Sequence, residues 1–179
     1  MVVLAAAVGA LLLAASSRTG GELVYALDDA YIHMAVGRNL ADHGVWGVTR
    51  YAFTSSTSSL LWPLLLALAD LVAGAREATP LVLNLVFAAA AVLTADRLLA
   101  GATPGIRLVA LAALVLLSPL PTLVVSGMEH ALHIAAVLWL LDAVRAALAD
   151  GVGPHGSADV ASTRGATAGL LASAAVATA

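Results

Sequence analysis

Hydrophobic positions fall in long blocks separated by short polar breaks, and the blocks set the elements expected. Val2–Ala15 is almost wholly apolar and predicts a first membrane helix. It gives about 21 Å of helix at roughly 1.5 Å per residue, whereas a span takes about 20 residues. The helix therefore either ends at the polar stretch Ser16–Gly21 or runs on through it to Ala26. Leu81–Leu99, Arg107–Val125 and Ala131–Leu148 read as clearer spans, with Pro119 and Pro121 breaking the second near its far end. Gly165–Ala179 reads as a fifth, small-residue span that stops part-way. The whole of 1–179 is thus expected to be one transmembrane domain, the N-terminal portion of a longer protein. Leu60–Val72 is apolar but carries Asp70 and is shorter than a span. Runs of about 10–14 apolar residues suit an interface better than a crossing. Ser58 or Ser59 is placed to cap this segment as a helix, and Pro63 fits its first turn.

Asp29–Asp42 has a different period. Ile32, Val36 and Leu40 make one stripe, and Tyr31, Arg38 and Asp42 lie opposite, which predicts an amphipathic helix resting on a surface. Asp29 and His33 are four apart at the border of the stripe. His43–Ser59 has no helical period and holds Trp46, Tyr51 and Phe53, three of the chain's eight aromatics. Such residues suit a membrane–water interface, and also stacking on a sugar ring. Asp150–Arg164 reads as a polar Gly/Ser loop.

Composition sharpens the class. The chain is 61% hydrophobic and 11% charged, against about 25% charged in soluble domains, so the expected fold is an all-α polytopic membrane bundle. A cleaved signal peptide is disfavoured because no positive segment precedes the first apolar block. The absence of cysteine excludes disulfides, thiolate catalysis and Cys-based metal sites. A net charge of −3 gives no reason to expect a nucleic-acid partner. The basic residues, all arginine, then choose between two topologies. If Leu60–Val72 lies in the interface, Ser16–Thr79 is one long external loop with interfacial helices near 29–42 and 60–73. Arg97, Arg107, Arg145 and Arg164 are then all cytoplasmic, as the positive-inside rule asks of short loops. This arrangement also puts Asp28, Asp29 and Glu129 on one external face. If Leu60–Val72 spans instead, Glu129 moves to the opposite side.

The adjacent acids Asp28 and Asp29 stand out in so uncharged a chain. The plainest role for one of them is to cap the following helix; a cap needs only one. A carboxylate there can also serve as general base, taking a proton from an acceptor hydroxyl as it attacks an activated sugar carbon. A second can orient the first or help to hold a divalent cation that neutralises a phosphate leaving group. The metal question stays open, with Asp28, Asp29 and Glu129 as the ligands if there is one. His33, Arg38 and His130 are candidates to contact phosphate, and each is equally readable as an ordinary surface residue.

Taken in order, the motifs YALDDAYIHMAVGRNLADHG, TSSTSSLLWPLLLAL and LSPLPTLVVSGMEHALHIAAVLWLL resemble the front third of the GT-C class of membrane glycosyltransferases, closest to its arabinofuranosyltransferase-like subgroup of actinobacterial cell-wall synthesis. The resemblance covers almost the whole chain. It implies a multi-pass plasma-membrane enzyme with its catalytic loop outside. The donor would be a polyprenyl-phosphate sugar and the acceptor an external glycan, lipid or protein. Asp28 and Asp29 fall on the family's catalytic acidic positions, and Glu129 on a further acid of the second external loop. The remaining membrane helices and the C-terminal external domain of the family are missing, so this portion by itself is not expected to be active. Two other readings stand beside the enzyme. One is a transporter component, against which Asp70, Asp96 and Asp142 all lie away from mid-span. The other is a non-catalytic or truncated membrane protein.

Overall fold

The structure is a computed structural model that describes residues 1–151, and all seven regular elements among them are α-helices. The helices are α1 (Val2–Ser16), α2 (Asp28–His43), α3 (Leu61–Ala73), α4 (Thr79–Leu98), α5 (Pro104–Leu116), α6 (Leu120–Val125) and α7 (His130–Gly151). Of these, α4 and α7 are long and apolar enough to cross a membrane, while α1, α3 and α5 are apolar but shorter. Asp150 and Gly151, the first two residues of the expected polar loop Asp150–Arg164, are instead the end of α7; the rest of that loop and the expected span at 165–179 lie outside the described residues.

Local chemistry explains the boundaries. Helix α1 does not continue to Ala26. Ser17, Arg18 and Thr19 fold back on its last carbonyls, and Gly20 and Gly21 take positive φ, which ends the helix. Helix α2 closes on Gly44 at φ 66, whose N–H reaches Leu40 O at 3.0 Å while Val45 N–H reaches Asn39 O at 3.3 Å. That is the left-handed C-terminal cap for which glycine is suited. The N-cap of α3 is Leu60, and Ser59 just before it accepts the Trp62 N–H at 3.3 Å, with Pro63 in the first turn as expected.

Two sequence expectations need correction. Arg107–Val125 is not one span but two helices. Leu117–Pro119 separates them, because Pro119 has no N–H to continue the ladder and Ser118 turns its hydroxyl back on Leu114 O. Helix α5 also begins three residues earlier than expected, at Pro104, whose fixed φ suits a first helical position. The inner face of α2 is rotated too. Val36 is buried as expected, but Ile32 and Leu40 are only half-buried, and the stripe is completed by Ala30, His33 and Gly37. Gly37 is the reason. A Cβ there would stand 2.9 Å from Leu66 Cβ and 3.2 Å from the Ala67 backbone nitrogen. The two helices can approach this closely only where α2 has no side chain, and that contact sets the rotation. Arg38 stays exposed, on the outer side as expected.

The helices associate chiefly as two pairs, α2 with α3 and α4 with α7; α5 and α6 pack against α4, and α1 packs against α6. The α4–α7 seam is lined by Ala88, Ala91, Ala131, Ala135 and Ala136, all fully buried. Small residues let helix backbones come close, as is usual where lipid removes the hydrophobic drive between helices. Asn84 is buried in the same region and donates to Val124 O at 3.3 Å, tying α4 to α6. The opposite faces carry exposed Val82, Val86, Leu93, Leu108, Val109, Val137 and Leu141. Two ion pairs form among the described residues: Asp142 with Arg145 at 2.9 Å within α7, as their spacing predicts, and Asp96 with Arg107 across the α4–α5 turn.

Candidate functional site

The starts of α2, α3, α4 and α7 gather in one place, and Tyr25 is the first link. Its hydroxyl donates to Glu77 O at 2.6 Å and accepts the Leu81 N–H at 3.3 Å, which joins the segment before α2 to the start of α4. Burial pushes that hydroxyl up to about 12, so it keeps its proton and its role as donor. The Tyr31 hydroxyl accepts the Tyr25 N–H at 2.9 Å, and the two rings meet edge to face at 5.8 Å. Trp62 is the second link. Fully buried in α3, it donates its indole N–H to Gly127 O at 3.1 Å. Gly127 has φ 77, and a Cβ there would meet the Tyr25 ring at 2.7 Å. Met128 completes the seat by packing with Tyr25 and Ala30.

This seating brings Glu129 to the acidic start of α2. Asp28 and Asp29 are exposed in the first turn, where negative charge is favoured by the helix dipole. Neither is the N-cap, which is Leu27; Asp28 Oδ1 instead accepts the Asp29 N–H at 3.1 Å. One turn inward lies His33, 1% exposed, with Nε2 at 3.5 Å from Ser58 Oγ. Its surroundings connect the acids. Burial holds the imidazole below its ordinary 6.5, while Glu129 first and Asp29 second push back toward the charged form. Glu129 is itself 5% exposed, and its Oε2 and the His33 Nδ1 are both buried without a hydrogen-bond partner. Such atoms carry a desolvation cost of about 1–3 kcal/mol each.

The expected site residues therefore divide. Asp29 and Glu129, from two separate parts of the chain, both come within electrostatic reach of His33, and Asp28 stands beside Asp29 in the first turn of α2. His130 is adjacent, half-buried at the first position of α7. Arg38 lies on the exposed side of α2 about 13 Å beyond Asp29 along the axis, at roughly 1.5 Å per residue. It shares the surroundings of Asp70 with Asp42 and stands apart from the acid pair. Among the described residues no group of three or more His, Asp or Glu side chains is placed to hold one metal ion.

Sequence reasoning passed over Tyr25, Trp62 and Gly127. The signals were a tyrosine just before the acids, an indole N–H inside an apolar run, which must find an acceptor when buried, and a glycine in a short turn between two apolar blocks. The aromatic loop is braced rather than loose. Asn39 Nδ2 donates to Gly47 O and Val48 O, both at 2.9 Å, and Thr54 N–H reaches Trp46 O at 3.0 Å. Tyr51 and Phe53 are left strongly exposed, with Arg50 over the Tyr51 ring.

The buried imidazole gives a pH prediction. In the folded chain His33 binds protons less readily than at its ordinary 6.5, so in acid the unfolded state holds more protons. Stability is then fully present above that value and falls as pH drops below it. Thermal unfolding midpoints measured between pH 7.5 and 5 should decline, and His33→Gln should flatten the decline. An unchanged slope in the variant would place the titrating group elsewhere.

No family model, no curated protein and no solved structure matches the chain.

Proposed function

We propose that this chain carries the acidic end of a GT-C type membrane glycosyltransferase of the plasma membrane, moving a sugar from a polyprenyl-phosphate donor to an external glycan, lipid or protein acceptor. The observation that carries the reading is the placing of Asp29 and Glu129 within reach of the same buried His33, with Asp28 next to Asp29, at the gathered starts of four helices. Two features fit a lipid-phosphate substrate. The acids follow the apolar α1 closely, near the depth a lipid-linked phosphate occupies. The gathered helix starts also present positive dipole ends, which favour a phosphate and offset the carboxylates around it.

In the proposed reaction Asp28 accepts the proton of an acceptor hydroxyl as the oxygen attacks the anomeric carbon. The new carbon–oxygen bond forms as the bond to the donor phosphate breaks. The phosphate leaves with the electron pair, still on its lipid, and the configuration at the anomeric carbon inverts. Asp29 supports Asp28 from the same turn, and Glu129 bounds the inner side of the site. The test is transfer itself. Membranes containing the protein at its full length are supplied with a labelled polyprenyl-phosphate sugar, and label should pass from lipid to acceptor. Label that stays on the lipid at every acceptor tried would overturn the reading.

The same proposal places α2, α3 and the aromatic loop on the external surface, with α3 in the interface. Leu60, Leu64, Leu68 and Leu71 form an exposed stripe along α3, while Trp62 and Leu66 face inward. Because the chain has no native cysteine, Ser55→Cys and Arg76→Cys report cleanly on the two ends of α3. An impermeant thiol reagent should label both from outside. Labelling from opposite sides would mean that α3 crosses the bilayer.

A further inference from the structure

We propose that Tyr25, Trp62 and Gly127 form a clamp whose role is positional: it holds the turn between α6 and α7 so that Glu129 stands beside His33 and the Asp28–Asp29 pair. Gly127 is gripped on two sides. The Trp62 indole N–H holds its carbonyl at 3.1 Å, and the Tyr25 ring occupies the space a side chain would need. Both grips are anchored beyond the turn. The Tyr25 hydroxyl is fixed to Glu77 and Leu81 at the head of α4, and the Trp62 N–H is held by Ser59 just before α3. Met128 N–H reaches Ser126 Oγ at 3.3 Å, and the Glu129 carbonyl accepts the His133 N–H at 3.1 Å. The backbone is therefore held on both sides of Glu129.

The Glu129 side chain has no such anchor. Its Oε2 is buried without a partner, and so is His33 Nδ1. The two groups are close enough for the Glu129 charge to act on the imidazole, yet no hydrogen bond or ion pair joins them. Each stays buried against its own desolvation cost, so the backbone clamp supplies the restraint. Residues in three separate elements, none of them an acid or a base of the reaction, thus set where an acid of the site lies. The inference rests on the glycosyl-transfer reading only for the use made of Glu129. Its test does not measure transfer, so either idea can fail alone.

The test uses His33 as an internal gauge in the 179-residue chain, reconstituted in lipid nanodiscs with ¹⁵N-labelled histidine. The titratable groups around His33 are Asp29 on its own helix and Glu129 on the turn; His130 and His133 follow at the start of α7. The single titratable group of α3, Asp70, sits with Arg38 and Asp42 farther along. Glu129→Gln removes the larger of the two carboxylate influences, and the His33 titration should move to lower pH. Trp62→Phe keeps an aromatic ring but loses the indole donor. It should move the titration in the same direction, by no more than Glu129→Gln does. The double variant should move it no further than Glu129→Gln alone, since a charge influence already removed cannot be removed again. Tyr25→Phe, which frees the ring from Glu77 and Leu81, should act as Trp62→Phe does. Four results would overturn the proposal. In one, Glu129→Gln leaves His33 unmoved. In another, Trp62→Phe and Tyr25→Phe both leave it unmoved. In a third, the single effects simply add. In the last, both conservative variants fail to fold, which would make the clamp a core contact and nothing more.

Discussion

In the full-length protein, Asp28→Asn should lower transfer from a polyprenyl-phosphate sugar by about 10²–10⁴-fold, the contribution typical of a positioned general base, while α2 stays formed. The variant separates chemistry from helix capping. Asp28 Oδ1 accepts the Asp29 N–H at 3.1 Å, and an asparagine carbonyl can accept the same bond in nearly the same shape. What asparagine cannot do is take the proton of an incoming hydroxyl. The lost charge at the helix start costs about 0.3–1 kcal/mol at an exposed site, too little to unfold the chain. Asp28→Ala removes both base and acceptor, so it should match Asp28→Asn in transfer and fall below it in stability. Asp29→Asn should reduce transfer less than Asp28→Asn. The measurement is initial rate against thermal midpoint for the three variants in the same membrane preparation. Transfer that survives Asp28→Asn within a few-fold would reduce Asp28 to a first-turn acceptor, and the proposed mechanism would be wrong.

Trp62→Ala should be the most damaging single substitution to the fold. Trp62 is fully buried in a cluster with Leu66 of its own helix and Leu132 of α7. Truncating a buried tryptophan costs about 3–5 kcal/mol through lost contacts and the cavity left behind. The Gly127 carbonyl would also lose the donor that reaches it from α3. Against a total stability of about 5–15 kcal/mol, that is a large share. Trp62→Phe should cost less, because the ring stays and only the hydrogen bond goes. Reversible unfolding in mixed micelles, followed by far-ultraviolet circular dichroism, gives the comparison. A loss under about 1 kcal/mol for Trp62→Ala, small against the cavity cost expected of a buried tryptophan, would mean that α3 is held by its Gly37 contact alone.

The candidate site was legible only in pieces. Asp28 and Asp29 drew notice because two carboxylates stand out in an apolar chain, and the Asp29–His33 spacing pointed to one face of one helix. Glu129 was placed near them only through a chain of topology arguments. The residues that deliver it, Tyr25, Trp62 and Gly127, carried no local pattern. Trp62 sits in an apolar run where every neighbour is hydrophobic, so nothing nearby reveals that its N–H must reach a carbonyl 65 residues away.

What the sequence by itself determined is the set of elements. The apolar blocks, the glycines at 20, 21, 44 and 74 and the prolines at 63, 80 and 104 act over one or two turns. Local sterics and hydrogen bonding therefore settle where most helices begin and end. Even the break between α5 and α6 was marked by Pro119, although only the structure showed that it divides one expected span into two helices. What the tertiary structure decided is which faces meet. Amphipathic spacing put Ile32, Val36 and Leu40 on the inner side of α2, but Gly37 let α3 approach so closely that the helix turned to bury His33. Rotation about a helix axis costs little locally and is fixed by the tightest contact along it. For that reason the burial of His33, the approach of Glu129 and the two unpartnered atoms between them depend on packing between distant parts of the chain.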